Sequence, residues 1–329
     1  MSRTKSVDVA MSASNQYKVR VGISSCLLGA EVRFDGGHKR DAFITGALSR
    51  YFDYVPVCPE VAIGLGTPRE PIRLVADAGQ PRAVGVKDPS LDVTQALSEY
   101  GRETATRLQG IAGYIVKRGS PSCGMERVKI YSAKGMPAKQ GIGVFTRALV
   151  AEAPLLPIEE EGRLNDPALR ENFILRVFVY DRWQKLVAAG VSAKGLVEFH
   201  SRHKYLLLAH DTGAYRQLGR LVAGAGSAPL GELGRAYISG LMNALREPAR
   251  RRRHVNVLQH LAGYLKRSLD STDRSELAEV IEAYRRGEYP LVVPLTLLKH
   301  HFRRSPDSYI AQQYYLDPHP QALLLRNHI

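Results

Sequence analysis

The feature that most constrains this chain is a change of rhythm near its middle. Up to about residue 150, short β-branched runs alternate with helix-like stretches, and beyond it the signals are helical. Strand-like runs fall at Lys18–Ser24, Tyr54–Val57, Ile72–Val75, Ala83–Val86, Gly113–Lys117 and Val128–Tyr131. Between them the spacing predicts helices near His38–Tyr51 and over Asp92–Leu108, where Val93, Leu97, Tyr100 and Leu108 share a face and Asp92 offers a cap. Such alternation predicts an α/β domain with a largely parallel sheet. The segment Pro154–Asp166 reads as a linker, and Asn165-Asp166-Pro167 as a helix start. Helices are then predicted after Ser192, over Leu233–Leu245 and Arg250–Ser268, from Ser271 or Thr272 to Arg286, and again after Pro290 and Pro294. The expected layout is a disordered lead-in (1–17), an α/β domain (18–155), a linker with a connecting helix (156–190) and an all-α domain (191–329).

At 329 residues the chain exceeds one typical domain of about 150. No apolar run approaches the roughly 20 residues of a membrane span, and the first sixteen residues lack a signal peptide's apolar stretch. The reading is a cytoplasmic protein with no membrane partner, in a compartment where thiols stay reduced. Charge is unevenly placed. Residues 1–150 hold 21 Lys/Arg against 13 Asp/Glu, residues 151–190 hold 5 against 7, and residues 191–329 hold 20 against 12. Both ends are basic, which suits a polyanion such as nucleic acid, though a generically basic protein would look the same.

Only three cysteines occur, so a full disulfide framework is excluded. Cys26, Cys58 and Cys123 each follow a predicted strand, in SSCLLG, VCPE and GSPSCG. In an open α/β sheet the loops beyond the carboxyl ends of strands gather in one crevice. Structural zinc takes four ligands, commonly with paired Cys-x₂-Cys spacing, which is absent here. A cubane iron–sulfur cluster on three thiolates leaves one iron open to act as a Lewis acid. The alternative is three unrelated buried cysteines.

Near them stand groups suited to proton transfer. Glu60, two residues past Cys58, can activate water or protonate a ring nitrogen; its alternative is a surface salt bridge. Ser120, three residues before Cys123, can relay a proton or shape the Gly-Ser-Pro turn, with Ser24, Ser25 and Ser122 as competitors. Arg33, Asp35, Arg69, Arg73 and Lys117 are candidates to hold a base edge or phosphate, Arg69 and Arg73 bracketing a Pro-flanked loop. In the second half, Arg202, His203 and Lys204 fall within one helical turn, and His200 with His203 gives an HxxH spacing without a completing carboxylate. Arg202, Lys204, Arg216, Arg251, Arg252 and Lys266 are the candidate nucleic-acid contacts, and some of the 16 tyrosines can stack on bases.

Cys26-Leu27-Leu28-Gly29, Val32-Arg33-Phe34-Asp35-Gly36, Cys58-Pro59-Glu60-Val61, Pro68 through Leu74 and Lys117 through Gly124 together resemble the thiouracil desulfidase (TudS) family over roughly residues 18–150. Phe34 stands where that family usually has tyrosine. Residues 190–329 resemble the YbgA-like domain through Phe199, Arg202-His203-Lys204, Ala209-His210, Tyr215-Arg216, Asn256-Val257-Leu258, Gly287 through Pro294 and Gln313 through Pro318. The fusion resembles the tRNA 4-thiouridine desulfidases. The resemblance implies a three-cysteine [4Fe-4S] cluster, a thiolated pyrimidine nucleotide as substrate and tRNA as partner. Competing readings are a salvage desulfidase for free thiouracil or thiouridine monophosphate, and an iron–sulfur nucleic-acid-binding sensor.

Overall fold

The computed structural model describes residues 17–227 and 229–329, so most of the expected lead-in lies outside the described residues. Its last residue, Tyr17, donates its hydroxyl to Asp181 Oδ1 at 2.7 Å. The first half runs β1 (Val19–Ser24), α1 (Ala42–Thr45), β2 (Phe52–Val57), α2 (Pro59–Ala62), β3 (Ile72–Val75), β4 (Arg82–Gly85), α3 (Thr94–Arg107), β5 (Gly113–Val116), β6 (Val128–Tyr131), β7 (Pro137–Gly141), α4 (Val144–Glu152) and β8 (Ile158–Glu160). The second half is helical: α5 (Pro167–Ala188), α6 (Ala193–His210), α7 (Thr212–Ala223), α8 (Leu230–Ala244), α9 (Arg251–Tyr264), α10 (Ser271–Arg286), α11 (Val292–Arg304) and the single turn α12 (Ser308–Ala311).

The strands form two sheets. The first, in the order β2-β1-β5-β8, is parallel throughout. The second, β4-β3-β6-β7, is mixed, with only β3 and β6 parallel. The expectation of a largely parallel sheet thus holds for the sheet that carries the cysteines and is corrected for its neighbour. β8 lies inside the segment expected to be a linker. The helix predicted near His38–Tyr51 is reduced to two short turns, Ala42–Thr45 and Leu48–Arg50, separated at Gly46.

Both faces of the parallel sheet are covered, as parallel strands require. Val19, Val21 and Ile23 pack with Phe173, Ile174 and Val177 of α5 on one side. On the other, Tyr114 and Val116 pack with Phe145 and Leu149 of α4. Gly22 leaves room for the ring of its register partner Tyr114, since a Cβ there would sit 2.4 Å from Tyr114 Cδ2. α5 starts where Asp166 accepts from the N–H groups of Ala168 and Leu169 ahead of Pro167. Its opposite side, Leu175, Val179 and Trp183, belongs to the core of the helical half. One helix therefore serves two cores. α6 begins at Ser192, whose Oγ accepts from Gly195 N. Among the described residues no helix is long and apolar enough to cross a membrane.

Candidate metal centre

The order β2-β1-β5 sets the ends of the three cysteine-bearing strands side by side. The chain passes from β1 to β2 on one flank and returns on the other at β5, making β1 a topological switch point where ligands bind. Cys26 sits in the 3₁₀ turn Ser25–Leu28 that leaves β1, closed by Gly29 at φ 101°. Cys58 leaves β2 as the residue before α2, and Cys123 lies in the tight loop after β5. All three line one crevice of about 340 Å³. Cys26 and Cys123 are buried and Cys58 is half-buried.

Burial raises all three thiols. Cys26 is pushed up to about 11, with Cys58 adding to the effect and Lys117 and Arg33 opposing it. Cys123 is driven well above the usual thiol value by burial and then by Glu60, and Cys58 rises by burial. Among the described residues no set of three His, Cys, Asp or Glu side chains closes into a single-ion site. Three thiols thus face one shared space, whose wall also carries Arg33, Lys117 and Glu60. The donor set fits an iron–sulfur cluster, whose positive irons favour thiolates.

The Cys123 loop is held from several sides. Ser120 Oγ accepts from the N–H groups of Ser122 (3.2 Å) and Cys123 (3.1 Å). Thr146 of α4 donates to Cys123 O at 2.6 Å. Gly143, just before α4, approaches so closely that a Cβ would lie 2.4 Å from Ser122 O and 2.8 Å from Cys123 N. Glu160 of β8 accepts from Met125 N at 2.7 Å. Nothing in local sequence marks Gly143, Thr146 or Glu160 as site residues.

Glu60 lines the crevice. Arg69 grips its Oε2 through Nε (2.9 Å) and Nη2 (2.6 Å), and Ser122 donates to Oε1 at 2.7 Å. Arg69 also donates to Val32 O and Gly66 O, so it orients the carboxylate and ties three loops together. Lys117 lines the crevice but reaches Glu161, whose other oxygen accepts from Arg118 N. Arg33 lines it too, with its guanidinium over Phe34 and a buried Nε that has no hydrogen-bond partner. Asp35 stands off the wall, half exposed, accepting from Gly37 N and lying 3.5 Å from Arg33. Arg73 faces an adjoining hollow instead.

In the helical half, Arg202 pairs with Glu198 at 2.6 Å. Lys204 lies 4.8 Å from the Tyr309 ring, which stacks on Tyr264. Arg251 donates to Tyr284 O and Tyr289 O and covers the Tyr284 ring, a structural commitment. Arg216, Arg252 and Lys266 are exposed. His203 is buried with Nδ1 against Phe199 O, and His200 Nδ1 meets the Tyr237 hydroxyl, so the HxxH pair is part of the core.

Three thiols and an anchored carboxylate at a switch point of a parallel sheet define a cysteine-lined active-site domain, here joined to a helical bundle. The family model described as 2-thiouracil desulfurase matches residues 21–161, and that described as a protein of unknown function (DUF1722) matches residues 204–320. The uncharacterized protein YbgA of Escherichia coli (strain K12) is 35% identical over 158 residues, 48% of this chain and 94% of its own. The uncharacterized protein YbbK of Bacillus subtilis (strain 168) is 33% identical over 150 residues, 44% of this chain and 97% of its own. A solved [4Fe-4S]-dependent thiouracil desulfidase, TudS, is 31% identical and covers 48% of this chain and 100% of its own, at a TM-score of 0.37. The chain belongs to the 2-thiouracil desulfurase family of enzymes, fused to the YbgA-like DUF1722 family.

Proposed function

We propose that the chain is a cytoplasmic [4Fe-4S]-dependent desulfidase that converts 4-thiouridine in tRNA, with water, to uridine and sulfide. The observation that supports this reading is the convergence of Cys26, Cys58, Cys123 and the anchored Glu60 on one crevice. Bound to three thiolates, a cluster supplies an open iron, a thiophilic Lewis acid for the thiocarbonyl sulfur.

This chain's residues supply the rest. At about 340 Å³ the crevice is at the small end of ligand pockets and suits one base. The exchange of C=S for C=O is redox-neutral: water gives its oxygen to carbon, and both its protons leave with sulfide. Glu60, held by Arg69, takes the proton from water, with Ser122 on its second oxygen as the relay; the contacts of both residues with the carboxylate support this role. Ser120 reaches the same wall while its oxygen accepts from the Cys123 loop. Arg33 and Lys117 bring positive charge near Cys26, suited to the sulfur being released.

A thiolated base in tRNA must leave its stack to enter so small a space. The remainder of the tRNA needs a basic surface, and residues 191–329 carry 20 Lys/Arg against 12 Asp/Glu. The deciding assay is anaerobic, with reconstituted full-length protein offered thiolated tRNA, thiouridine monophosphate and thiouracil. Sulfide release fastest from tRNA supports the proposal. Efficient turnover of the nucleotide with inert tRNA would make the protein a salvage enzyme, and no sulfide from any substrate would leave the sensor reading.

A further inference from the structure

The second sheet turns one face inward and one outward. Ile72, Leu74, Ala83 and Val128 pack with Val93, Leu97 and Val144 beneath it. Alternation sends Arg73, Lys129 and Tyr131 to the other face. Register aligns the cations: Leu74 pairs with Ile130, so Arg73 lies level with Lys129, and Lys129 pairs directly with Lys139. Three like charges thus stand abreast on β3, β6 and β7, an arrangement that is destabilising by itself.

Arg82, on β4, shows how the fold neutralises a cation on this sheet, with Asp92 at 2.9 Å and Asp77 at 3.5 Å. Among the described residues Arg73, Lys129 and Lys139 have no such carboxylate within salt-bridge reach. Arg73 Nε is buried without a hydrogen-bond partner, and its guanidinium lies 5.4 Å from the Tyr131 ring. The hollow of about 230 Å³ lined by Arg73, Lys129 and Tyr131 shares Ile72, Gly119 and Pro121 with the thiol crevice. The cationic row therefore starts at the crevice wall.

We propose that this row binds the phosphodiester backbone flanking the thiolated nucleotide, so that the catalytic domain itself grips an RNA strand while the base enters the crevice. The choice of a thiolated base rests on the desulfidase reading; the phosphate site does not. Strands lie about 4.8 Å apart, so three abreast span roughly 10 Å, more than one phosphate bridges. That favours successive phosphates of a strand over the single phosphate of a free nucleotide.

The test measures binding of an unmodified single-stranded RNA to full-length protein across salt concentrations, with uridine monophosphate as competitor. Lys129→Gln, Lys139→Gln and Arg73→Gln are each expected to weaken binding and lower the log–log salt slope by about 0.7. Arg73→Lys should restore most of the slope, and Arg82→Gln should leave it as in the parent protein. Turnover of a thiolated strand should fall in Lys129→Gln/Lys139→Gln relative to turnover of the free thionucleoside. An unchanged slope in that double variant, or an equal loss in Arg82→Gln, would overturn the proposal. Competition by uridine monophosphate as strong as by the strand would overturn it in favour of a single-phosphate site. Absence of sulfide from every thiolated substrate would sink the desulfidase reading while leaving the binding slopes to be judged alone.

Discussion

Ser122 donates its hydroxyl to Glu60 Oε1 at 2.7 Å while Arg69 closes on Oε2 at 2.6 Å, so the carboxylate on the wall of the thiol crevice is fixed at both oxygens. Glu60→Gln keeps the shape but loses the base, and turnover is expected to drop by about 10²–10⁴-fold. Ser122→Ala is expected to lower turnover less, since the carboxylate remains. Both variants should keep full iron content. Single-turnover sulfide release alongside iron analysis checks this, and near-parental rates in Glu60→Gln would remove Glu60 from the chemistry.

The Cys123 loop yields a different outcome. Gly143→Ala forces a Cβ against Ser122 O and Cys123 N, so the loop must shift. It is expected to lose most bound iron, as is Ala at Cys26, Cys58 or Cys123. Ser120→Ala separates two roles. Loss of turnover with iron retained would make its hydroxyl catalytic, whereas loss of iron would make it a shaper of the loop whose amides it caps. Full iron retention in any cysteine variant would remove that cysteine from the ligand set.

On the helical half, exposed Arg216, Arg252 and Lys266 are expected to matter most for tRNA. Glutamine at each should flatten the salt dependence of binding by roughly one counterion apiece. Arg251→Gln is expected to act mainly on stability, because Arg251 holds Tyr284 O and Tyr289 O. Arg202→Gln should have a small effect, its charge being paired with Glu198. Filter binding over a salt series ranks them, and a dominant loss at Arg251 without any change in unfolding midpoint would reverse this order.

Buried histidines make the helical half acid-sensitive. Burial, with Arg326 second, holds His254 down to about 3, and burial also lowers His210 and His203. These folded values lie below the unfolded value of about 6.5. Their contribution is therefore complete above about pH 6.5. Below it the unfolded chain takes up protons the folded one refuses, at a cost that for His254 approaches about 1.4 kcal/mol per pH unit. Urea midpoints should be level from about pH 6.5 to about pH 8, below the range in which free thiols titrate, and fall from about pH 6.5 towards pH 4, less steeply in His254→Gln. Midpoints that stay flat over that range would contradict the assignment.

What the sequence disclosed follows the strength of local signals. β1 and β5 are apolar runs ending in cysteine loops, so both the parallel sheet and the gathering of the thiols were legible. β7 (PAKQG) and β8 (IEE) were not, because their positions are set by pairing and by tertiary partners. In β8, Glu159 meets Arg163 and Glu160 meets Met125 N, contacts that no periodicity announces. Arg69 read as an anion clamp on a substrate, yet its anion is Glu60, which only the folded loops bring near. The choice between Ser120 and Ser122 turns on which way each hydroxyl points within one tight turn, and spacing is silent on that.

The three thiols leave three separate crossovers, 32 and 65 residues apart. A zinc knuckle with closely spaced ligands can be nucleated by its metal, whereas here two long loops must close before a third ligand is in reach. During synthesis no complete ligand set exists until the ribosome has passed Cys123 and β5 has docked beside β1. Cluster delivery thus waits on the docking of β2 and β5 beside β1, and a chain that has not brought those three strands together offers no complete ligand set.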